Sequence, residues 1–274
     1  MEQRSVRAGG AVFGAAMIGM GVLALVRLDL VPDIEPVPAW VPGHAPWAVA
    51  TGALLVGAGA CLVVGRRVRA AAATIATFLA CWVVPLHLPR LVAQPANGGY
   101  WVVACESLAL CAVAAVLAAQ AGDGVPDATW DRLTVAARTA FGATFLLFGL
   151  SHFLYRGYVE SVIPAWIPAH GFWAVATGLA HLAAGVSLLT RVRARLAATL
   201  LAIMFGTWVV ILHAPRVAAA SPTAPRTPNE WSSLLIALAM CGGSWLVAGS
   251  LTVPNAMRAR SARRDAPAGS LAST

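Results

Sequence analysis

Histidines distributed unevenly along the chain are the side chains best suited to bind a ligand or move a proton. The chain has six, and four of them lie in its second half. Imidazole can donate and accept hydrogen bonds and titrates near neutral pH. An arginine and two aromatic residues accompany them there, which favours a site for a polar headgroup against an apolar wall. The candidate ligand-binding residues are His152, Tyr155, Trp166, His170, His181, His213 and Arg216. Helix capping and anchoring at the membrane interface is the competing interpretation of the same residues.

These residues fall within an internal repeat. Residues 38–52 and 164–178 align without a gap at an offset of 126, with 11 of 15 positions identical. The same offset aligns 82–90 with 208–216, with 7 of 9 identical. One register that spans two motifs predicts a tandem duplication. The repeated loop positions of interest are Pro38, Trp40, Pro42, His44, Pro164 and Pro168. They predict either a proline-stiffened helix entry with interfacial tryptophans or the lip of a lipid- or ligand-binding site.

The elements that position the repeats are membrane helices. The chain is 59% hydrophobic and 11% charged, with a mean hydropathy of +0.76. A soluble domain carries about 25% charged residues. Apolar runs near the length of a transmembrane helix, about 20 residues, recur eight times. The predicted spans are 8–27, 46–65, 69–88, 101–119, 138–155, 171–190, 196–213 and 231–251. We therefore expect an all-α membrane protein, built as two tandem four-helix bundles related by a pseudo-two-fold axis along the membrane normal.

The arginines predict an orientation. All 19 basic residues are arginine, and 14 of them lie at the termini or in loops on the side of the termini. The positive-inside rule then places both termini in the cytoplasm. We expect the protein to lie in a bacterial inner (plasma) membrane. The expected domains are a first repeat at 1–120, a cytoplasmic linker at 121–137, a second repeat at 138–253 and a disordered basic tail at 254–274. We attribute the net charge of +8 to arginines beside the membrane spans. The sequence has no nucleic-acid-binding module, so no nucleic acid is expected as a partner.

One buried charge is expected in the first repeat. Glu106 lies about one and a half turns into the fourth span, where a carboxylate needs a partner. His87 and Arg90 end the third span, which Pro89 is expected to close. We therefore predict that Glu106 pairs with Arg90 or His87. A proton-handling role for Glu106 is the alternative.

Three motifs together resemble the DoxX-like family of membrane proteins. Gly149-Leu-Ser-His-Phe153 is similar to the family's ending of helix one. The proline-rich loops 37–42 and 163–168 are similar to its outer loop, and 87–90 and 213–216 to the Pro-Arg ending of its helix three. The resemblance implies two copies of a four-helix bundle. It also implies relatives linked to quinone-reducing thiosulfate oxidation or to membrane assemblies that handle oxidative stress.

The remaining residues exclude several activities. Five cysteines lie scattered in apolar spans without a Cys-x-x-Cys pair, which argues against thiol–disulfide chemistry. The chain has no phosphate-binding glycine loop, serine nucleophile elbow or dense acidic metal site, so no metal is expected. The first hypothesis is a non-catalytic membrane subunit or scaffold that binds lipid, or a membrane or extracytoplasmic protein, at its outer face. The alternatives are a quinone-linked redox subunit, with quinone or haem as its cofactor, and a small-solute or lipid transporter. Whether the chain is an enzyme stays open on this evidence.

Overall fold

The computed structural model is all-helical over the residues it describes, which are 2–38, 40–121, 128–220 and 227–251. The predicted linker residues 122–127 and the predicted tail at 254–274 lie outside them. The helices are α1 (Glu2–Arg27), α2 (His44–Val64), α3 (Val68–Trp82), α4 (Leu88–Ala93), α5 (Gly98–Gln120), α6 (Ala128–Leu154), α7 (Arg156–Val162), α8 (His170–Thr190), α9 (Ala194–Trp208), α10 (Ala214–Ala219) and α11 (Thr227–Ser250). Two π-helical turns, Val83–His87 and Val209–His213, join α3 to α4 and α9 to α10.

The prediction of eight membrane spans is confirmed. Within the described parts of the chain, eight helices are long and apolar enough to cross a membrane. They are Arg4–Arg27, His44–Val64, Val68–Ala93, Gly98–Gln120, Ala128–Leu154, His170–Thr190, Ala194–Ala219 and Glu230–Ser250. The chain is therefore a multi-pass membrane protein. Eight crossings place the start of the first span and the end of the last on one side, and we call the opposite side distal.

Two boundaries differ from expectation. Residues 128–137, expected in the linker, form the first turns of α6. Pro89, expected to close the third span, lies instead in the first turn of α4, and the helix continues to Ala93. A proline is tolerated in a first turn because the N–H it lacks would have no helical partner there. The π-helical turn before it resets the hydrogen-bond register, so the third span is longer than predicted.

Local backbone conformations recur at the 126-residue offset. Gly43 and Ala169, the residues before α2 and α8, have φ values of +81° and +58°. Arg67 and Arg193, before α3 and α9, have φ values of +49° and +53°. The bounds of α2, α3 and α4 also match those of α8, α9 and α10 at this offset. The pseudo-two-fold axis stays a prediction, and superposing 38–90 on 164–216 tests it.

The packing of the helices links the two halves. The first helix of each half packs on the second, α1 on α2 and α6 on α8. Each also packs extensively on the last helix of the other half, α1 on α11 and α6 on α5. The helices α5 and α11 contact each other as well. The four-helix units expected from the sequence therefore share their last helices at the centre of the molecule.

Glycines allow the closest of these contacts. A Cβ built at Gly9 would lie 2.6 Å from the Gly242 carbonyl oxygen, so α1 and α11 touch backbone to backbone. A Cβ at Gly21 would lie 2.5 Å from the Gly52 carbonyl oxygen, and one at Gly149 would lie 2.8 Å from that of Gly178. Small residues let membrane helices approach in this way.

Candidate functional site

The repeated histidine motif has the same role in both halves. His44 Nε2 lies 3.2 Å from the Pro38 carbonyl oxygen, and His170 Nε2 lies 3.2 Å from the Pro164 carbonyl oxygen. Each imidazole donates to a carbonyl six residues earlier and closes the loop before its helix. His44 also places Nδ1 2.9 Å from an Asp29 carboxylate oxygen. These contacts assign the motif histidines to loop closure, the competing interpretation of His170.

Two other histidines of the second half meet inside the bundle. The ring centroids of His152 and His181 lie 4.9 Å apart. Phe145, Phe148 and Phe205 surround His181, with centroids at 5.7, 6.1 and 5.8 Å. His152 Nδ1 donates to the Phe148 carbonyl oxygen at 2.7 Å, which leaves its Nε2 as an acceptor. His181 is 6% exposed, and within the described parts of the chain neither of its ring nitrogens has a hydrogen-bond partner.

The first half has no imidazole at the equivalent crossing. The crossing of α1 and α2 at Gly21 and Gly52 corresponds to that of α6 and α8 at Gly149 and Gly178. His152 lies three residues after Gly149, and the residue three after Gly21 is Ala24. The 126-residue offset places Leu55 at the position of His181. Both residues are fully buried. The helix crossing therefore packs well with apolar side chains alone, and packing does not account for the two imidazoles.

The other residues of the predicted second-half site are engaged elsewhere. Arg216 donates from Nε and Nη2 to the two Glu230 carboxylate oxygens, both at 2.7 Å, and from Nη1 to the Val162 carbonyl oxygen at 3.2 Å. Its guanidinium is thus committed within the protein. Trp166 is 66% exposed at the surface. The Tyr155 hydroxyl lies against Gly98 of the first half.

His213 lies in the second π-helical turn. Its Nδ1 is buried, and no residue that the structure describes forms a hydrogen bond with it. Among the predicted ligand-binding residues, the only pair for which the structure gives a ring contact within the described residues is His152 and His181.

The predicted pairing of Glu106 does not form. No hydrogen bond or ion pair joins its carboxylate to His87 or Arg90, all three of which are described. His87 Nε2 lies instead 3.3 Å from the hydroxyl of Ser107. Adjacent residues on a helix point about 100° apart, because a turn takes 3.6 residues. The rotation of α5 therefore presents Ser107 to His87, and the Arg90 guanidinium lies over the Tyr100 ring, 5.6 Å from its centroid.

The loop between α1 and α2 contributes acidic groups to the interior of the protein. Ser107 donates to the Asp33 carbonyl oxygen at 3.2 Å, and Ser232 of α11 donates to the Asp33 carboxylate. The loop is thus attached to both central helices. Burial raises the pKa of Asp33, and the Ser232 hydrogen bond offsets part of that rise. The feature of the sequence that could have indicated this burial is the set of apolar residues in the same loop, Leu30, Val31 and Ile34, which are buried.

Glu35 is the most deeply buried of these acids, with 1% of its surface exposed. Its Oε2 accepts a hydrogen bond from the Val31 backbone N–H at 3.4 Å, and its Oε1 has no partner. The Thr51 hydroxyl of α2 faces the same carboxyl without reaching hydrogen-bond geometry. Removal from water raises the pKa of Glu35 to about 7.

A groove of about 600 Å³ runs between α2 and α3 in the distal half of the molecule. Trp47 and Trp82 form its walls, Phe78 and Leu54 contribute apolar surface, and Thr51 lies along it. Trp47 and Cys81 are exposed, so the groove opens at the molecular surface. The Trp82 Nε1–H and the Thr51 hydroxyl are buried, and neither has a hydrogen-bond partner among the described residues. The groove therefore offers an apolar channel with unused polar atoms.

Comparison with known proteins gives one match. Residues 141–258, from within α6 to beyond α11, match a family described as a domain of unknown function, DUF8561. No curated protein and no solved structure matches the chain. The matched segment contains the His152–His181 pair and the Arg216–Glu230 ion pair.

Proposed function

We propose that this integral membrane protein is a non-catalytic membrane subunit that binds an amphiphilic lipid in the groove between α2 and α3. The groove carries the proposal, because it combines apolar walls with the Trp82 indole N–H, which is buried and has no hydrogen-bond partner among the described residues. An unpaired buried donor costs about 1–3 kcal/mol. A ligand carbonyl or hydroxyl at the Trp82 N–H would recover that cost.

The proposed ligand class follows from the lining. An acyl or isoprenoid chain fits between the indole rings of Trp47 and Trp82, which favour the membrane interface. The Trp82 indole N–H would donate to an ester or quinone carbonyl. A quinone belongs to this class, so the quinone-linked alternative uses the same groove.

The proposal also includes the family and the location. The proline-rich loops and the Gly-x-x-His-Phe motif support a DoxX-like protein, and the arginine distribution supports a bacterial inner membrane with both termini in the cytoplasm. The repeated loops lie at the distal side, where an extracytoplasmic or membrane partner would meet the protein.

Replacement of Trp82 by phenylalanine tests the proposal, because it keeps an aromatic wall and removes the donor. Trp208 occupies the same place in the second half, so Trp208→Phe is the matched control. Native mass spectrometry of protein released from phosphatidylcholine nanodiscs should show roughly fivefold weaker lipid retention in Trp82→Phe, as expected for a net hydrogen bond of about 1 kcal/mol. Equal retention by wild type and both variants would rule out the groove as the site.

A further inference from the structure

The two equivalent arginines at the distal ends of the third and seventh spans differ in their partners. Arg216 forms a two-pronged ion pair with Glu230. Arg90 lies over the Tyr100 ring, and none of the described carboxylates is within ion-pair distance of it. One half of the molecule neutralises its arginine internally, and in the other half no described residue supplies a counter-ion.

A single residue exchange accounts for the difference. The last helices of the two halves correspond at an offset of 130, which aligns the end of α5 at Gln120 with the end of α11 at Ser250. At this offset Tyr100 takes the place of Glu230. Tyrosine supplies a ring for the guanidinium to stack on, worth about 0.5–1 kcal/mol at an exposed site, but it supplies no negative charge.

A cavity lies beside the unpaired arginine. It has a volume of about 300 Å³ and is lined by Pro32, His87, Arg90, Asn97, Gly99, Tyr100 and Val103. Its floor is the first turn of α5, where backbone N–H groups have no helical partner and the helix dipole is positive. Gly99 has no side chain over this turn, and a Cβ added there would lie 3.3 Å from the Asn97 Oδ1 atom. The Asn97 side chain accepts from the Tyr100 N–H, and the Ser107 hydroxyl lies within hydrogen-bond distance of His87 Nε2, so Arg90 is the charged group directed to the cavity.

We propose that this cavity binds an anionic headgroup, a phosphate or a carboxylate, through the Arg90 guanidinium and the first turn of α5. The guanidinium matches two oxygens of such a group with two parallel N–H donors. The second half forms the same contact internally, with the Glu230 carboxylate in the position of the ligand. The cavity is distinct from the α2–α3 groove, so either site can be lost without the other.

The decisive variant is Tyr100→Glu, which installs the carboxylate of the second half beside Arg90 and should fill the site from within. Arg90→Gln removes the charge, and Tyr100→Phe keeps the ring and serves as control. In nanodiscs of mixed phosphatidylglycerol and phosphatidylcholine, wild type and Tyr100→Phe should retain phosphatidylglycerol selectively. The two other variants should lose that selectivity at least about tenfold, as for a lost hydrogen bond to a charged group.

Competition with inorganic phosphate separates the two sources of the anion. Displacement of phosphatidylglycerol by millimolar phosphate assigns the site to a free anion, and retention assigns it to a lipid headgroup. Thermal unfolding of each variant confirms that it is folded, and Tyr100→Glu is expected to be at least as stable as wild type because it gains an ion pair. Unselective lipid retention by wild type together with no phosphate binding would overturn the proposal. So would a folded Tyr100→Glu variant that binds as wild type does.

Discussion

At the residue scale, Glu35 couples stability to pH. Its pKa is raised to about 7 from an ordinary value of 4.5 because the carboxyl is buried. Between these two pH values the folded protein holds a proton that the unfolded chain releases. The free energy of unfolding therefore falls as pH rises through this window, and the decrease is complete above about pH 7. A shift of this size corresponds to roughly 3 kcal/mol.

Glu35→Gln should remove most of this dependence. The amide cannot ionise, so the variant should be more stable than wild type at pH 8 and similar to it near pH 4.5. The measurement is thermal unfolding in detergent, followed by tryptophan fluorescence, from pH 4.5 to 8. Glu160→Gln, at an acid that pairs with Arg156 near the surface, serves as the control and should keep the wild-type slope. An unchanged slope in Glu35→Gln would show that Glu35 is ionised in the folded protein.

His181 is retained at a cost to stability. Both of its ring nitrogens are buried without a partner, and its counterpart in the first half is Leu55. His181→Leu should therefore stabilise the protein by roughly 1–3 kcal/mol, the penalty for burying unsatisfied polar groups. Guanidinium unfolding in detergent measures the change, and Leu55→His should produce the opposite shift. A destabilised His181→Leu variant would mean that the imidazole contributes to folding.

At the element scale, the crossing of α1 and α2 depends on which glycines face the neighbouring helix. A Cβ at Gly59 would lie 2.6 Å from the Gly14 carbonyl oxygen, whereas one at Gly57 would have nothing within 4 Å. Gly59→Ala should therefore force the helices apart and cost about 1–3 kcal/mol. Gly57→Ala, in the same helix, should be neutral or stabilising by about 0.5–1 kcal/mol. Thermal unfolding of the pair checks the prediction, and equal effects would contradict the observed rotation of α2.

At the scale of the whole molecule, the halves depend on each other. The helix α1 packs on α11, and α6 packs on α5. A fragment of residues 1–121 therefore exposes the face of α1 at Gly9, which contacts Gly242 of α11 in the whole protein. Expressed alone, residues 1–121 or 128–274 should aggregate or be degraded, and co-expressed they should purify together. Two fragments that each elute as a stable monodisperse species would show that the halves are independent bundles.

The sequence by itself determined the number of spans and the places of the repeated loops. Spans follow from hydropathy, because only about 20 consecutive apolar residues cross a bilayer. The loops follow from local chemistry, since His44 and His170 each bond to a carbonyl six residues away. Such contacts depend on neighbours in the chain, but the sequence alone left His170 open as a candidate ligand-binding residue.

The tertiary structure alone decided which side chains meet. Glu106 was expected at His87 and Arg90, but the rotation of α5 directs Ser107 to His87. Asp33 lies in the loop between α1 and α2, and Ser232, 199 residues later in the chain, holds it against α11. The spans are so apolar that hydrophobic periodicity barely distinguishes their faces, and helix rotation is then set by glycine contacts and polar pairs between distant segments. The free charge of Arg90 becomes visible only beside the Arg216–Glu230 pair, because it depends on what the neighbouring helix presents.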